Sequence, residues 1–256
     1  MYSMNVEVLE STPSAEMLVC VAARGDYMDA WNAEKSLEEI LSTVSHDERD
    51  IERANENNQY PKMHDTTEAK LISFIEKQLS RGHYGPWEHP QITFSVEGVS
   101  RVTMAQITRH RHMTFDVQSQ RYVDFSDTKA IVPKSLRDPE HFSRETGLTD
   151  LDEDELSHWR RAYKQMTAEQ LEYYEDMVDA GVPKEDARFL LPLGTPVNMT
   201  FSGNARTFMH LLDMRKKANA QWEIRQLSEK IIEELKQWMP YTYKQYDRNA
   251  PHKLSP

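Results

Sequence analysis

Cysteine is almost missing from this chain: among its 256 residues only Cys20 carries a thiol. An intrachain disulfide and a metal site built on several thiolates are thereby excluded, and a reducing, cytoplasmic compartment is the expectation. Cys20 lies in the apolar run from Met17 to Ala23, which suits an inert buried thiol better than a nucleophile. Glycine is scarce too, with 8 residues, and neither GxGxxG nor a Walker loop occurs. Phosphate groups, if bound, must therefore be held by side chains rather than by a glycine-rich backbone cradle. No run approaches the roughly 18 apolar residues of a membrane span, and the first residues show no basic stretch leading into an apolar one. Neither export nor anchoring is expected. Positive charge is in the minority, 31 Lys plus Arg against 42 Asp plus Glu, for a net charge of -11. That balance argues against a general nucleic-acid or acidic-membrane binder, and it suits a high-salt cytoplasm and an ordinary soluble enzyme alike.

What is present is a chain of a length that forms one sizeable core. Val6 to Leu9 reads as a strand, and Met17 to Ala22 as a second strand or the start of a helix, with the turn-rich Ser11–Ser14 between them. A helix over Asn32 to Thr43 and an exposed polar connection over Ser45 to Thr67 follow. Leu71, Phe74, Ile75 and Leu79 recur at helical spacing and predict an amphipathic helix over Glu68 to Ser80, broken by Arg81-Gly82. Gln91 to Val96 alternates as a half-buried strand, and Ser100 offers an N-cap for a helix reaching about Arg111. Asp127 to Asp154, rich in Pro, Asp, Ser and Lys, reads as a long surface excursion beside the active site. A long helix over Glu155 to Ala180 ends at Gly181 and Pro183. A strand near Val197 to Ser202 leads into a helix from Asn204, on which Asn204, Leu211, Arg215 and Trp222 would share a stripe. The last helix runs to Trp238, where Pro240 stops it. Short strands alternating with long helices indicate a mixed α/β or α+β domain.

The densest chemistry lies in Arg109 to Tyr122, RHRHMTFDVQSQRY. Adjacent Arg109, His110 and Arg111 repel unless the fold separates them or an anion is shared. On a helix that reaches Arg111, Gln106, Arg109 and His110 stand three or four residues apart and converge on one ligand. A metal reading of His83, His89, His110 and His112 is disfavoured, because His110 and His112 are two apart and no HExxH pattern occurs. A phosphate-tracking nucleic-acid element lacks the further cations that it would need. A structural reading would have Arg109 and Arg111 in buried ion pairs with residues such as Glu88 or Glu223. Arg109, Arg111, Arg121, Arg188, Arg206 and Arg215 lie in or beside two segments that mix Arg, Asn, Gln and aromatic residues, which favours a nucleotide-shaped ligand.

The run Arg109-His110-Arg111, seven residues and then Ser119-Gln120-Arg121-Tyr122 resembles the signature of flavin-dependent thymidylate synthases. His83-Tyr-Gly-Pro-Trp-Glu-His89 is similar to that family's histidine segment, and Asn204 to Arg215 to its C-terminal cofactor and substrate segment. Val21 to Arg24, Glu185 to Arg188 and Ala220 to Arg225 match as well. The resemblance implies an α+β fold with a mixed, largely antiparallel central sheet flanked by long helices. Residues 1–256 would form a single catalytic domain in a homotetramer whose active sites are each shared among subunits. It implies reductive methylation of dUMP to dTMP, with methylenetetrahydrofolate as carbon donor and FAD reduced by NADPH, and no cysteine nucleophile. The alternative kept beside it is a non-catalytic phosphate- or nucleic-acid-binding module.

By the same resemblance, Arg215 acts on the uracil ring and His83 lines the flavin and folate side. Gln106, Arg109, Gln118, Ser119, Gln120, Arg121 and Arg188 hold dUMP together with Arg215. Gly85, Arg109, His110, Arg111, Asn204, Arg206 and His210 meet FAD, and no metal is required. The chain departs from the usual pattern at Thr114, Asp116 and Val117, and at Tyr84, Gly85 and His210. Val117 has no side-chain hydrogen bond to offer, so Gln118 takes its place in the binding set.

Overall fold

The computed structural model describes residues 4–25, 67–141 and 153–249. The helix expected over Asn32 to Thr43, the polar connection that follows it and part of the excursion lie outside these residues.

Strand β1 (Asn5–Ser11) leads into helix α1 (Ala15–Gly25). Of the two readings of the Met17 stretch, the helix is the one observed. Glu16, Val19, Cys20 and Ala23 supply its buried stripe at helical spacing. Helix α2 (Thr67–Ser80) ends where Gly82 takes a positive φ of 72°. The one-turn helix Gly85–Glu88 precedes strand β2 (Gln91–Ser100), longer than the alternating core that foretold it. Ser100 is the predicted N-cap of helix α3 (Arg101–Ile107), its side chain accepting from Thr103 N–H. Strand β3 (Thr114–Val117), helix α4 (Glu153–Asp179), the short helix α5 (Lys184–Ala187) and strand β4 (Pro196–Asn204) follow. Asn204 caps helix α6 (Ala205–Arg215), and helices α7 (Trp222–Trp238) and α8 (Pro240–Asn249) complete the described chain.

The sheet order is β1-β2-β4-β3. Pairings along its three strand pairs give its directions. Thr12, just past β1, donates its N–H to the carbonyl of Gln91 at the start of β2. Along β2 and β4, Thr93 bonds Ser202 and Gly98 bonds Asn198, so one index rises as the other falls. Gln118 bonds Asn198 while Phe115 packs on Phe201, which makes β3 and β4 antiparallel in the same way. The antiparallel sheet and the α+β class are as expected.

Two compact units divide the residues, and β1, β2 and β4 contribute to both. The first takes in 95–201 and 221–227. Its core is Val96, Val99, Ile107, Phe125, Leu171, Tyr174, Val197, Phe201 and Ile224. Glu223, 1% exposed, ties this unit together: its carboxylate accepts from Ser100 N–H at 2.9 Å, from Thr103 Oγ1 at 2.8 Å and from Ser100 Oγ. A buried carboxylate with several donors is satisfied rather than stranded, so it locks the entry to α3.

The second unit takes in 8–94, 202–220 and 228–256. Helix α6 buries Phe208, Met209, Leu211 and Leu212, and Phe208 meets Phe94 edge-on at 5.3 Å. Trp87, fully buried, donates its indole N–H to Thr242 Oγ1 at 3.2 Å. Pro240 does more than stop α7: it opens α8, where a missing N–H costs nothing in the first turn. Tyr243 then anchors α8 by donating to the carbonyl of Ala205 on α6, and the Tyr246 hydroxyl lies 3.1 Å from Met209 O, one turn further along.

Candidate active site

Helix α3 ends four residues earlier than its N-cap and composition suggested. Thr108 closes it, turning both its N–H and its Oγ1 onto the carbonyl of Met104, and His110 N–H bonds Ile107 O in a tight turn. The predicted common face of Gln106, Arg109 and His110 therefore does not form. The turn instead buries His110 and exposes Arg109 and Arg111. Among the described residues neither arginine has an ion-pair partner. The structural reading of their charges fails as well, because Glu88 pairs with Arg206 and Glu223 serves Ser100 and Thr103.

Downstream, Gln118 extends the β3–β4 ladder, its N–H going to Asn198 O at 2.9 Å while its Oε1 accepts from Asn198 N–H at 3.2 Å. Its carbonyl oxygen is thus spent on the sheet. Ser119 Oγ accepts from Arg121 N–H at 3.3 Å, and Gln120 is 8% exposed. Arg121 forks onto Glu185 at 2.8 Å, and Arg188 donates from Nε to Glu185 O at 3.0 Å, so Glu185 gathers two predicted phosphate-facing arginines. Sequence reasoning missed Arg101. Burial, followed by the charge of Arg188, holds its guanidinium below the usual range, which marks two cations close together. The only signal was its place immediately after the capping Ser100.

In the second unit, His83 Nδ1 lies 2.9 Å from Gln78 Oε1. Gly85 opens the one-turn helix, and a Cβ there would meet nothing within 4 Å, so its backbone is approachable. Arg206 pairs with Glu88 and lies over the ring of Tyr84, 5.9 Å from its centroid. Burial first, then Asp213, raises the Tyr84 hydroxyl, while Arg206 opposes the shift. Asn204 spends its Oδ1 on Thr207 N–H and Oγ1, both at 2.8 Å, so a ligand bond there would come from its amide nitrogen. His210 is exposed and Arg215, half-buried, is the last residue of α6. Trp222 does not continue their stripe, because α6 ends at Arg215 and Trp222 starts a separate helix. Cys20 is fully buried, and burial followed by the nearby Glu16 charge pushes its thiol well above the usual range.

The family model described as thymidylate synthase complementing protein matches residues 7–241. The chain belongs to that family. A flavin-dependent thymidylate synthase of Halobacterium salinarum is 40% identical over 259 residues, covering 98% of either chain. One of Haloarcula marismortui is 39% identical over 254 residues, covering 96% of each. Among solved structures, that of a UMP/dUMP methylase, PolB from Streptomyces cacaoi bound with 5-Br dUMP, has a TM-score of 0.70 at 22% identity. It covers 96% of this chain and 95% of that one, and at such identity it speaks for the fold. Among the described residues no helix is long and apolar enough to cross a membrane. Nor is any group of three or more His, Cys, Asp or Glu among them placed to hold a metal ion.

Proposed function

We propose that this protein, acting as a single catalytic domain in a homotetramer, converts dUMP to dTMP. Methylenetetrahydrofolate supplies the carbon, and FAD reduced by NADPH supplies the hydride. The observation that carries this reading is a family match over 7–241 in a chain whose only cysteine is buried with its thiol pushed up. A route through a protein thiolate needs an accessible sulfur that ionises near neutral pH, and Cys20 offers neither.

The donors fit an anionic, planar dinucleotide. Arg109 and Arg111 are exposed without ion-pair partners among the described residues, His210 is exposed, and the Gly85 backbone is open. With Arg206, Asn204 and His110 they form the set that would hold FAD, and each active site draws on several subunits. When bound, the flavin supplies the hydride chemistry. Arg121 and Arg188, gathered by Glu185 and joined by Arg101, face the phosphate of dUMP. Gln106, Ser119, Gln120 and the Gln118 amide complete its binding. Arg215 sets its guanidinium against the uracil N–C=O edge and stabilises the negative charge that spreads there as the opposite ring carbon becomes nucleophilic. His83, held by Gln78, lines the flavin and folate side.

The test is isotope transfer from labelled methylenetetrahydrofolate to dUMP with FAD and NADPH present. Labelled dTMP supports the reading. A protein that takes up no FAD and transfers no label would overturn it in favour of a binding module.

A further inference from the structure

The family match stops at residue 241, yet two residues that hold the end of α6 lie beyond it. Tyr246, 1% exposed, donates its hydroxyl to Asp213 Oδ1 at 2.7 Å, with Met209 O at 3.1 Å. Asp247, its neighbour on α8, forms an ion pair with Lys216. Asp213 and Lys216 stand on either side of Arg215, two residues before it and one after. Asp247 is itself fixed from α7, since Lys236 Nζ reaches its second oxygen at 3.0 Å and also bonds Glu233 at 3.1 Å. Burial raises the Asp247 carboxyl, but hydrogen bonds from Lys216 and Lys236 outweigh this and hold it below its ordinary value.

Such a grip has a physical purpose at this position. The last turn of a helix lacks intrahelical donors for its carbonyls, and helix ends fray first. Arg215 occupies that turn, with Lys216 as the C-cap residue donating its N–H to Leu212 O. An unanchored end would spread the guanidinium over several positions, whereas charge stabilisation needs it in one place. Two side-chain bonds from a single turn of α8 thus reach the residues on both sides of Arg215.

We propose that Tyr246 and Asp247 are positioning residues that clamp Asp213 and Lys216 and thereby set Arg215 for its step. The proposal rests on the dUMP-methylating reading given above. The experiment compares Tyr246→Phe, Asp247→Asn, the double variant and Asp247→Glu in the FAD-loaded enzyme. It measures dTMP formation, bound flavin, and amide hydrogen exchange over residues 209–216. Each single variant should lower kcat about tenfold, a modest loss for a catalytic group held slightly out of place. The KM for dUMP should stay within about twofold of wild type and flavin occupancy should not change, because dUMP and FAD are held largely elsewhere. The double variant should lose less than the product of the single losses, because both bonds fix one short segment. Asp247→Glu should recover part of the rate. Exchange over 209–216 should quicken in Tyr246→Phe. Unchanged kcat, a loss entirely in KM, or fully multiplicative losses would overturn the clamp; so would unchanged exchange, whatever the activity. A wild-type enzyme that makes no dTMP would instead remove the functional reading, with the exchange data still deciding whether the clamp exists. If Tyr246→Phe fails to fold, Asp247→Asn decides by the same readouts.

Discussion

Glu16 should make this protein less stable as the solution becomes more alkaline, and the size of the effect follows from its surroundings. The side chain is 7% exposed on α1, and burial lifts its pKa from 4.5 to about 7. The backbone N–H of Thr242, 2.7 Å away at the start of α8, and the charge of Lys244 pull it back only in part. Since the folded pKa lies above the unfolded one, the folded state binds the proton more tightly, so stability is lost as pH rises from about 4.5 through 7. A shift of that size corresponds to roughly 3 kcal/mol in total, of which about 2.5 kcal/mol falls between about pH 5 and pH 8.5. Glu16→Gln keeps an oxygen for the Thr242 amide and carries no charge to bury. Denaturant unfolding of both proteins at one fixed protein concentration is the assay. The variant should match wild type at the acid end and exceed it by a margin that widens toward the alkaline end. Parallel stability curves, or a variant less stable than wild type throughout, would show that the Glu16 carboxyl ionises without penalty and that its burial has been misread.

Three further outcomes follow. Arg215→Ala should abolish dTMP formation while the protein still binds FAD, read by flavin absorbance and product assay on one preparation; a variant that keeps most of its rate would remove Arg215 from the reaction. Cys20→Ala should leave turnover nearly intact and cost about 1 kcal/mol in denaturant unfolding through a small cavity; loss of all activity would contradict the thiol-independent reading. Glu223→Ala should destabilise by about 2 to 4 kcal/mol, because the Ser100 amide and the Thr103 hydroxyl lose a buried acceptor; a change below about 0.5 kcal/mol would mean that water replaces the carboxylate without cost.

How far the sequence alone reaches depends on where the signal is local. Ser100 was legible as an N-cap because a cap needs only its own side chain and an amide three residues on, and it makes that bond; Asn204, read as the first residue of its helix and part of a stripe, makes the same cap bond instead. The amphipathic α2 was legible because Leu71, Phe74, Ile75 and Leu79 are aliphatic or aromatic and lie on one face. The end of α3 was not: nothing in the pattern of residues 101–111 says that Thr108 will fold back on Met104 and that the turn after it will bury His110. Helix α8 escaped for a different reason. Its buried residues are Thr242, Tyr243 and Tyr246, whose hydroxyls make the segment read as polar until partners such as Ala205 O and Asp213 are in place. The site repeats the lesson. Motif spacing singled out Arg121, Arg188 and Arg215, but the reach of Arg121 to Glu185 and the approach of Arg101 to Arg188 are products of tertiary packing. Chemistry-bearing side chains are therefore easier to read than the groups that aim them, because a reacting residue must have a particular functional group whereas a positioning residue needs only to be in reach.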